Sequence, residues 1–373
     1  TFLGYQTGQG YAGAAATTGG NNTAIGYQSM QVFTSGNSNV AMGNTALPAL
    51  TTGDGNIAIG SRAMEVHTTG GYNVVIGEGA MRDTDAGSNS LDSDHNVFIG
   101  WSSGGGTWTD AKSEFNTFVG GQSGAGSLEN ALYNAGLGYR AAEALTSGDS
   151  NVVVGGISGH SLTSGTGNTL VGYNVASSLT GGHYNTIIGK DGNVSGATVQ
   201  DEILIKAGVD TLAGGGAETV RIGVDSDYIT NDFGENATWT HSSDRRIKID
   251  IKDNTLGLDF INKLKTRNFK KKAPSEYPEE FEQHNPNTTE RKNPDRIHYG
   301  FVAQEVKEAM DSIGHSEFPV WKENRDGMQE LGETELITPL VKAVQELSSE
   351  NKQLKDKLND LEIFIMDKLG DDK

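Results

Sequence analysis

A short frame recurs through the first half of the chain: Asn, three residues that are mostly apolar, then Gly. It spans Asn22–Gly26, Asn39–Gly43, Asn56–Gly60, Asn73–Gly77, Asn96–Gly100, Asn116–Gly120, Asn134–Gly138, Asn151–Gly155, Asn168–Gly172 and Asn185–Gly189. Phe2-Leu3-Gly4 is the tail of an earlier copy. From Gly26 onward the glycines lie 17, 17, 17, 23, 20, 18, 17, 17 and 17 residues apart. Many are followed by a small-apolar pair, as at Ala46-Leu47, Ala63-Met64 and Ala80-Met81. A fixed period of this length predicts a β-solenoid. The three residues between Asn and Gly predict a short strand, with the aliphatic before Gly pointing inward. Gly suits a corner of positive φ or close backbone approach. Asn tolerates the left-handed region and can bond its own turn. One coil cannot bury its apolar row alone, whereas stacked coils make a continuous core. A flexible Gly/Ser linker has no reason to hold an aliphatic at one phase through ten copies.

Two spacings are stretched, Gly77 to Gly100 and Gly100 to Gly120, with additions at Asp83–Asp94 and Gly104–Glu114. Insertions in a solenoid loop out on one face, often the binding face. These carry Trp101 and Trp108, with Asp92, Asp94, Asp110 and Glu114 close by. A ring can stack on a pyranose while carboxylates accept its hydroxyls, so the six residues are candidates for receptor binding. The competing expectation is that the rings pack the loops. Asp92-x-Asp94 is a weak calcium pattern, far from a full loop. A glycosidase pair among the acids would need a carboxylate separation that sequence does not give. The eight His show no ligand spacing, and neither a metal nor a cofactor is expected.

Beyond Asn193 the frame fades, but Asp201–Lys206 and Thr219–Gly223 still alternate like strands. The chain's end has a different period. Ile337, Val344, Asn351, Leu358 and Ile365 recur every seven residues, with Leu340, Leu347, Leu354 and Leu361 offset by three, until Lys368 breaks the second series. This predicts a coiled coil in which Asn351, at an otherwise apolar seam, gives up stability to fix register.

Composition changes where the period does. Residues 1–242 hold 45 of the 51 Gly and carry 7 Lys+Arg against 21 Asp+Glu, a net charge of -14. Residues 243–373 carry 22 against 27, a net of -5. The total of -19 argues against nucleic acid as a partner. With no Cys, stability must come from burial or assembly. No apolar run approaches a membrane helix and no signal-peptide pattern opens the chain, which reads like a piece of a longer protein. The expected domains are a solenoid shaft at 1–192, a closing β segment at 193–242, a mixed α+β domain at 243–335 and the coiled coil at 336–373.

The repeat array resembles the heads of trimeric autotransporter adhesins and the repeat shafts of phage tail fibres, which implies a parallel homotrimer. Whether each chain coils on itself or three interleave stays open. Residues 238–373 resemble the intramolecular chaperone, or peptidase S74, domain at the end of phage tail spikes and fibres. Four blocks carry that likeness in order: Ser243-Asp-Arg-Arg-Ile-Lys248, Leu258–Leu264 with Phe269-Lys-Lys, Tyr299–Glu305, and Leu336–Leu347. The resemblance implies a nucleophile at Ser243, a base at Lys248 and a scissile bond between Ser242 and Ser243. Arg245 and Arg246 could push the lysine toward its neutral form. The competing expectation is a helix cap at Ser243 and Asp244 beside a solvated Lys248. Gln304 and Glu305 read as packing and hydrogen-bonding residues.

The parts together imply a receptor-binding region of a phage tail fibre in the virion. Its C-terminal chaperone would trimerise the chains and then leave by a single-turnover serine autoproteolysis in cis. Its expected partners are two further copies, the upstream fibre and a host-surface receptor, foremost a carbohydrate, with no membrane insertion. The alternatives are a bacterial trimeric adhesin with an acquired chaperone end and a tailspike that depolymerises polysaccharide.

Overall fold

The computed structural model describes residues 1–10, 17–83, 92–108, 111–225, 227–234, 236–240 and 243–370, without the side chains of 236–240 and 369–370. The chain divides into two compact units, Thr1–Asp244 and Arg245–Lys373. Among the described residues no helix is long and apolar enough to cross a membrane.

The first unit is a β-solenoid. Each copy of the frame contributes one strand: β1 (Phe2–Leu3), β2 (Thr23–Ile25), β3 (Val40–Met42), β4 (Ile57–Ile59), β5 (Val74–Ile76), β6 (Val97–Ile99), β7 (Thr117–Val119), β8 (Ala135–Leu137), β9 (Val152–Val154), β10 (Thr169–Val171) and β11 (Thr186–Ile188). After a short β12 (Gly192–Asn193) come β13 (Ile203–Ala207), β14 (Leu212–Ala213), β15 (Thr219–Val224), β16 (Asp227–Asp232) and β17 (Asn236–Thr240). Fifteen of these form one sheet in sequence order, β12 and β14 pairing apart from it. Pairing is parallel and in frame, as in Leu170↔Ile187, and survives the stretched copies, where Val74 still faces Val97. Only β15, β16 and β17 turn antiparallel and close the stack.

The frame's Asn does more than turn the chain. From Asn22 to Asn185 the ten are buried. The Oδ1 of Asn39 accepts the backbone N–H of Asn56 (2.8 Å) and its Nδ2 (3.2 Å), and the Asn56 Nδ2 also donates to the Gly70 carbonyl (2.9 Å). The same set recurs from coil to coil, so a buried amide ladder runs through the stack, a device that binds parallel in-register strands. It ends at Glu202, whose N–H donates to Asn185 Oδ1 and whose buried carboxylate accepts the N–H groups of Ser195 and Gly216. The expected left-handed Asn is therefore corrected. None of these ten has positive φ; that conformation falls on the residue before, such as Tyr72 or Tyr133. Gly behaves as expected: Gly26 has φ +137°, and a Cβ there would sit 2.3 Å from the carbonyl oxygen of Gly43 in the next coil.

The direction of the strands is also corrected. Their middle residue is the one that points inward: Ala24, Ala58, Phe98, Phe118, Leu170 and Ile187 are all buried. The aliphatic before Gly lies on the outer face, where Met42 is 39%, Leu137 54% and Ile188 38% exposed. A three-residue strand alternates, and two outward positions flank one inward position. The inward row is joined by the small-apolar pairs and by a further row that includes Phe33, Leu50, Leu145, Leu162 and Leu179. At the stretched coils the core holds larger rings. Phe98 and Phe118 stack at 5.7 Å, and Gly136 leaves room for the Phe118 ring, which a Cβ there would meet at 2.3 Å.

The second unit has its own small core of Leu256, Phe260, Val306, Ala309, Met310, Val320 and Leu336. It is built from α1 (Leu258–Lys263), β18 (Arg267–Phe269), β19 (His298–Gly300), α2 (Ala303–Ser312), β20 (Trp321–Glu323), β21 (Gln329–Leu331) and α3 (Ile337–Gly370). β18 pairs antiparallel with β19, and β20 with β21. A carboxylate oxygen of Glu346 on α3 accepts the Leu258 N–H at the start of α1 (2.7 Å). Glu305 takes the Arg267 guanidinium in a bidentate pair that ties α2 to β18 and holds its carboxyl below the usual range. α3 runs 34 residues, about 50 Å at ~1.5 Å per residue. Its heptad residues, from Ile337 and Leu340 through Leu361 and Ile365, are exposed in the single chain, as is Asn351.

His67 follows Gly60 at the offset by which Leu50 follows Gly43, and so takes a leucine's place in the core. Burial pushes its imidazole down from 6.5 to about 4, against the opposing pulls of a Gly70 backbone hydrogen bond and the Asp92 carboxylate. The unfolded imidazole binds its proton near pH 6.5, the folded one only near 4. Stability from this group is therefore whole above pH 6.5, falls as pH drops toward 4 and levels below. The loss is on the order of 3 kcal/mol. Thermal unfolding followed from pH 7 to pH 4 should show this slope in the parent and a much flatter one in His67→Leu. Equal slopes would refute it.

Candidate functional site

The solenoid ends in the segment that carries the expected chemistry. Ser243 and Asp244 follow β17 as exposed coil and close the first unit. Arg245–Ile247 form a single 3-10 turn that opens the second, with the Lys248 N–H donating to the Arg245 carbonyl (3.2 Å). Ser242 lies outside the described residues. Around Lys248 the side chains alternate, with Ile247, Ile249 and Ile251 exposed at 66%, 89% and 61% between Lys248, Asp250 and Lys252. In sequence that alternation is a strand pattern, but after the 3-10 turn the segment is coil here, with Asp250 at φ +52°. A serine hydroxyl needs a neighbouring base to become a nucleophile. A lysine serves as that base where burial or nearby cations disfavour its charged form.

The stretched coils place the other candidates differently from expectation. Trp108 is fully buried, with its ring edge-on to Phe98 at 5.7 Å and its backbone N–H donating to the Asp83 carbonyl (2.9 Å). It therefore offers no face to a sugar, and its assignment to receptor binding is corrected to core packing. The signal lay in the repeat: Trp108 follows Gly100 at the offset by which the buried Leu128 follows Gly120. Asp94 is also structural. Its Oδ1 accepts the Gly71 N–H of the preceding coil, as Asp54 accepts Asn37 and Asp149 accepts Leu132, all two residues before a frame Asn. Asp92 Oδ1 accepts the Thr69 hydroxyl (2.9 Å), and Glu114 takes the Lys112 ammonium (2.9 Å). The Glu114 hydrogen bond and charge, then Asp94 and Asp92, hold Lys112 above its ordinary range, so these acids gather around a cation. Trp101 is 55% exposed, and Asp110 lies outside the described residues.

Sequence reasoning missed two aromatic columns beside the frame. Tyr72, His95, Phe115 and Tyr133 each precede a frame Asn and stack in one ladder at 5.1, 5.1 and 5.2 Å. Tyr5, Tyr27, Trp101, Tyr139 and Tyr173 each follow a frame Gly and are exposed, the first two stacking at 5.7 Å. With the outward aliphatics between them in sequence, the solenoid's large exposed apolar residues concentrate on the strands and their immediate flanks.

Residues 243–315 match the family model Peptidase_S74, chaperone of endosialidase. No curated protein and no solved structure matches the chain. A β-solenoid followed by this chaperone segment fits a phage tail fibre or tailspike with a C-terminal chaperone. The match begins at Ser243, runs over the 3-10 turn, α1, β18, β19 and α2, and stops at His315.

Truncating Trp108 should leave a cavity among Phe98 and its neighbours and cost about 3–5 kcal/mol. Trp108→Leu, the residue found at that offset in the next coil, should recover most of the loss. Unfolding curves of the two variants beside the parent decide it, and an unchanged Trp108→Ala would remove the ring from the core.

Proposed function

We propose that this chain is the C-terminal part of a phage tail fibre. In this reading three copies of its solenoid form a receptor-binding shaft, aligned by a chaperone domain that cuts itself off. The observation that carries the reading is a coincidence of borders. The repeat stack closes at β17, the compact units divide after Asp244, and the chaperone match begins at Ser243.

Cleavage would run as follows. The Ser243 hydroxyl oxygen attacks the Ser242 carbonyl carbon while Lys248 takes the hydroxyl proton. The C–N bond breaks as that proton passes to the Ser243 nitrogen, leaving the Ser242 acyl group as an ester on the Ser243 oxygen. Water hydrolyses the ester to a carboxyl group on Ser242 and restores the hydroxyl. Lys248 is exposed in the single chain, and Ile247, Ile249 and Ile251 around it are uncovered. Assembly that covers this segment would desolvate the lysine and switch it toward base. Cutting would then follow folding, and a misfolded junction would stay intact.

The homotrimer is supported by two sets of exposed side chains. The outward aliphatics and flanking rings give the solenoid an exposed apolar face along its stacked strands, and exposed apolar patches mark interaction surfaces. The heptad residues of α3 give the second unit an apolar stripe suited to a coiled coil. Near-identical repeats make a slipped register cheap locally and easy to trap. A C-terminal bundle that forms first aligns the chains and raises their effective concentration. Once the helper is gone, the shaft persists because unfolding is slow. Attachment to the host falls to the solenoid surface, with Trp101 as the exposed ring of the stretched coils.

Intact mass on the purified chain is the direct test of cleavage. The parent should yield pieces of 242 and 131 residues, and Ser243→Ala a single chain of 373. Lys248→Met should also stay whole. A parent that remains uncut once assembled would refute the peptidase.

A further inference from the structure

The long connection between β18 and β19 encloses a cleft of about 370 Å³ in the second unit. Lys271, Lys272, Arg291, Lys292 and Arg296 line it, together with Tyr277, and no carboxylate does. Topology explains the gathering. Phe269 pairs with His298 at the end of the ladder, so Lys271 and Lys272 leave β18 beside the point where Arg296 leads into β19. The loop is pinned across itself by Ser275 N–H to the Thr288 carbonyl (3.1 Å) and Asn285 N–H to the Pro274 carbonyl (3.2 Å).

Several other cations of the unit are paired. Lys263, Arg267, Lys307, Lys322 and Lys342 each hold a carboxylate. Among the described residues none of the five in the cleft makes an ion pair, although the chain carries a net charge of -19. Like charges held together without counter-charges repel, and the repulsion is relieved by an anion.

We propose that this cleft binds a multivalent phosphate. The cleft is small and open to solvent, and its five cations favour an occupant that brings several negative charges in little volume. Each phosphoryl group brings at least one charge and several acceptor oxygens, whereas a peptide carboxylate brings one charge with a length of backbone. Arg291 and Arg296 suit bidentate pairing to phosphoryl oxygens, and the three lysines act as movable point charges. The strongly acidic chain repels a long nucleic acid, so a small free oligophosphate is the favoured source.

Inorganic tripolyphosphate titrated into the whole chain by calorimetry tests this. One saturable site per chain is expected, weakening as salt rises, with orthophosphate binding far more weakly. Lys271→Gln/Arg291→Gln/Arg296→Gln should lose affinity at least tenfold. Their replacement by the other basic residue (Lys271→Arg/Arg291→Lys/Arg296→Lys) should retain most of it. The control Lys252→Gln/Lys265→Gln/Lys322→Gln removes as much charge from the same unit and should bind like the parent. The proposal is overturned by an absence of saturable binding or by equal weakening in the control. It is also overturned if a short single-stranded oligonucleotide binds where tripolyphosphate does not.

Discussion

The coils are held in register by one buried amide at the head of each strand. Its carbonyl oxygen is satisfied by the next frame Asn and its amino group by the Asn before it and by a backbone carbonyl, as at Asn56. A coil removed from the stack leaves several of these groups buried and unpaired, at a cost of roughly 1–3 kcal/mol each. The ladder therefore makes the solenoid cooperative and fixes its pitch. It also limits where sequence can grow. The stretched coils keep Asn73, Asn96 and Asn116 in the ladder and place their extra residues elsewhere. Glu202 ends the series by offering only acceptors, which two backbone N–H groups fill.

Because Asn and the middle strand residue both face inward, the two remaining strand positions must face out. In a free monomer those positions would be polar. Here they are Ile57 and Ile59, Val74 and Ile76, Val152 and Val154, with aromatic columns on either side in sequence. The interior of the coil is thus apolar, and so is much of its outer face, where Thr23, Thr117, Thr169 and Thr186 stand among these aliphatics. The proposed fibre gives that outer face a partner, and the proposed chaperone gives it a register. The same ladder that makes one chain cooperative would make a misaligned set of three hard to correct, which is a physical reason for a detachable helper.

The solenoid was legible because Asn and Gly hold their phase through ten copies, as stacked coils require. The facing of its strands was not. A run such as Val152-Val-Val154 is apolar at every position, inward and outward alike, and so shows no alternation to read. Trp108 was misjudged because it lies in a stretched copy, where attention to the insertion hid the offset it shares with Leu128; Asp94 shares its place before the frame Asn, and its backbone hydrogen bond, with Asp54. The Ser243 motif could be seen only through its likeness to a family, since nothing in a serine and a lysine alone demands chemistry. The basic cleft was invisible because its cations are separated by the connection from Lys272 to Arg291 and meet only through the β18–β19 pairing.

The central claim is that the apolar face of the solenoid is an interface between copies. Native mass measurement on the 242-residue shaft left after cleavage, which has lost the α3 stripe, tests it most directly. The account predicts a species of three shafts, and its loss when Ile59 and Val154 on the outer face are both changed to Lys. A single chain that stays soluble and folded with that face open to water would contradict it.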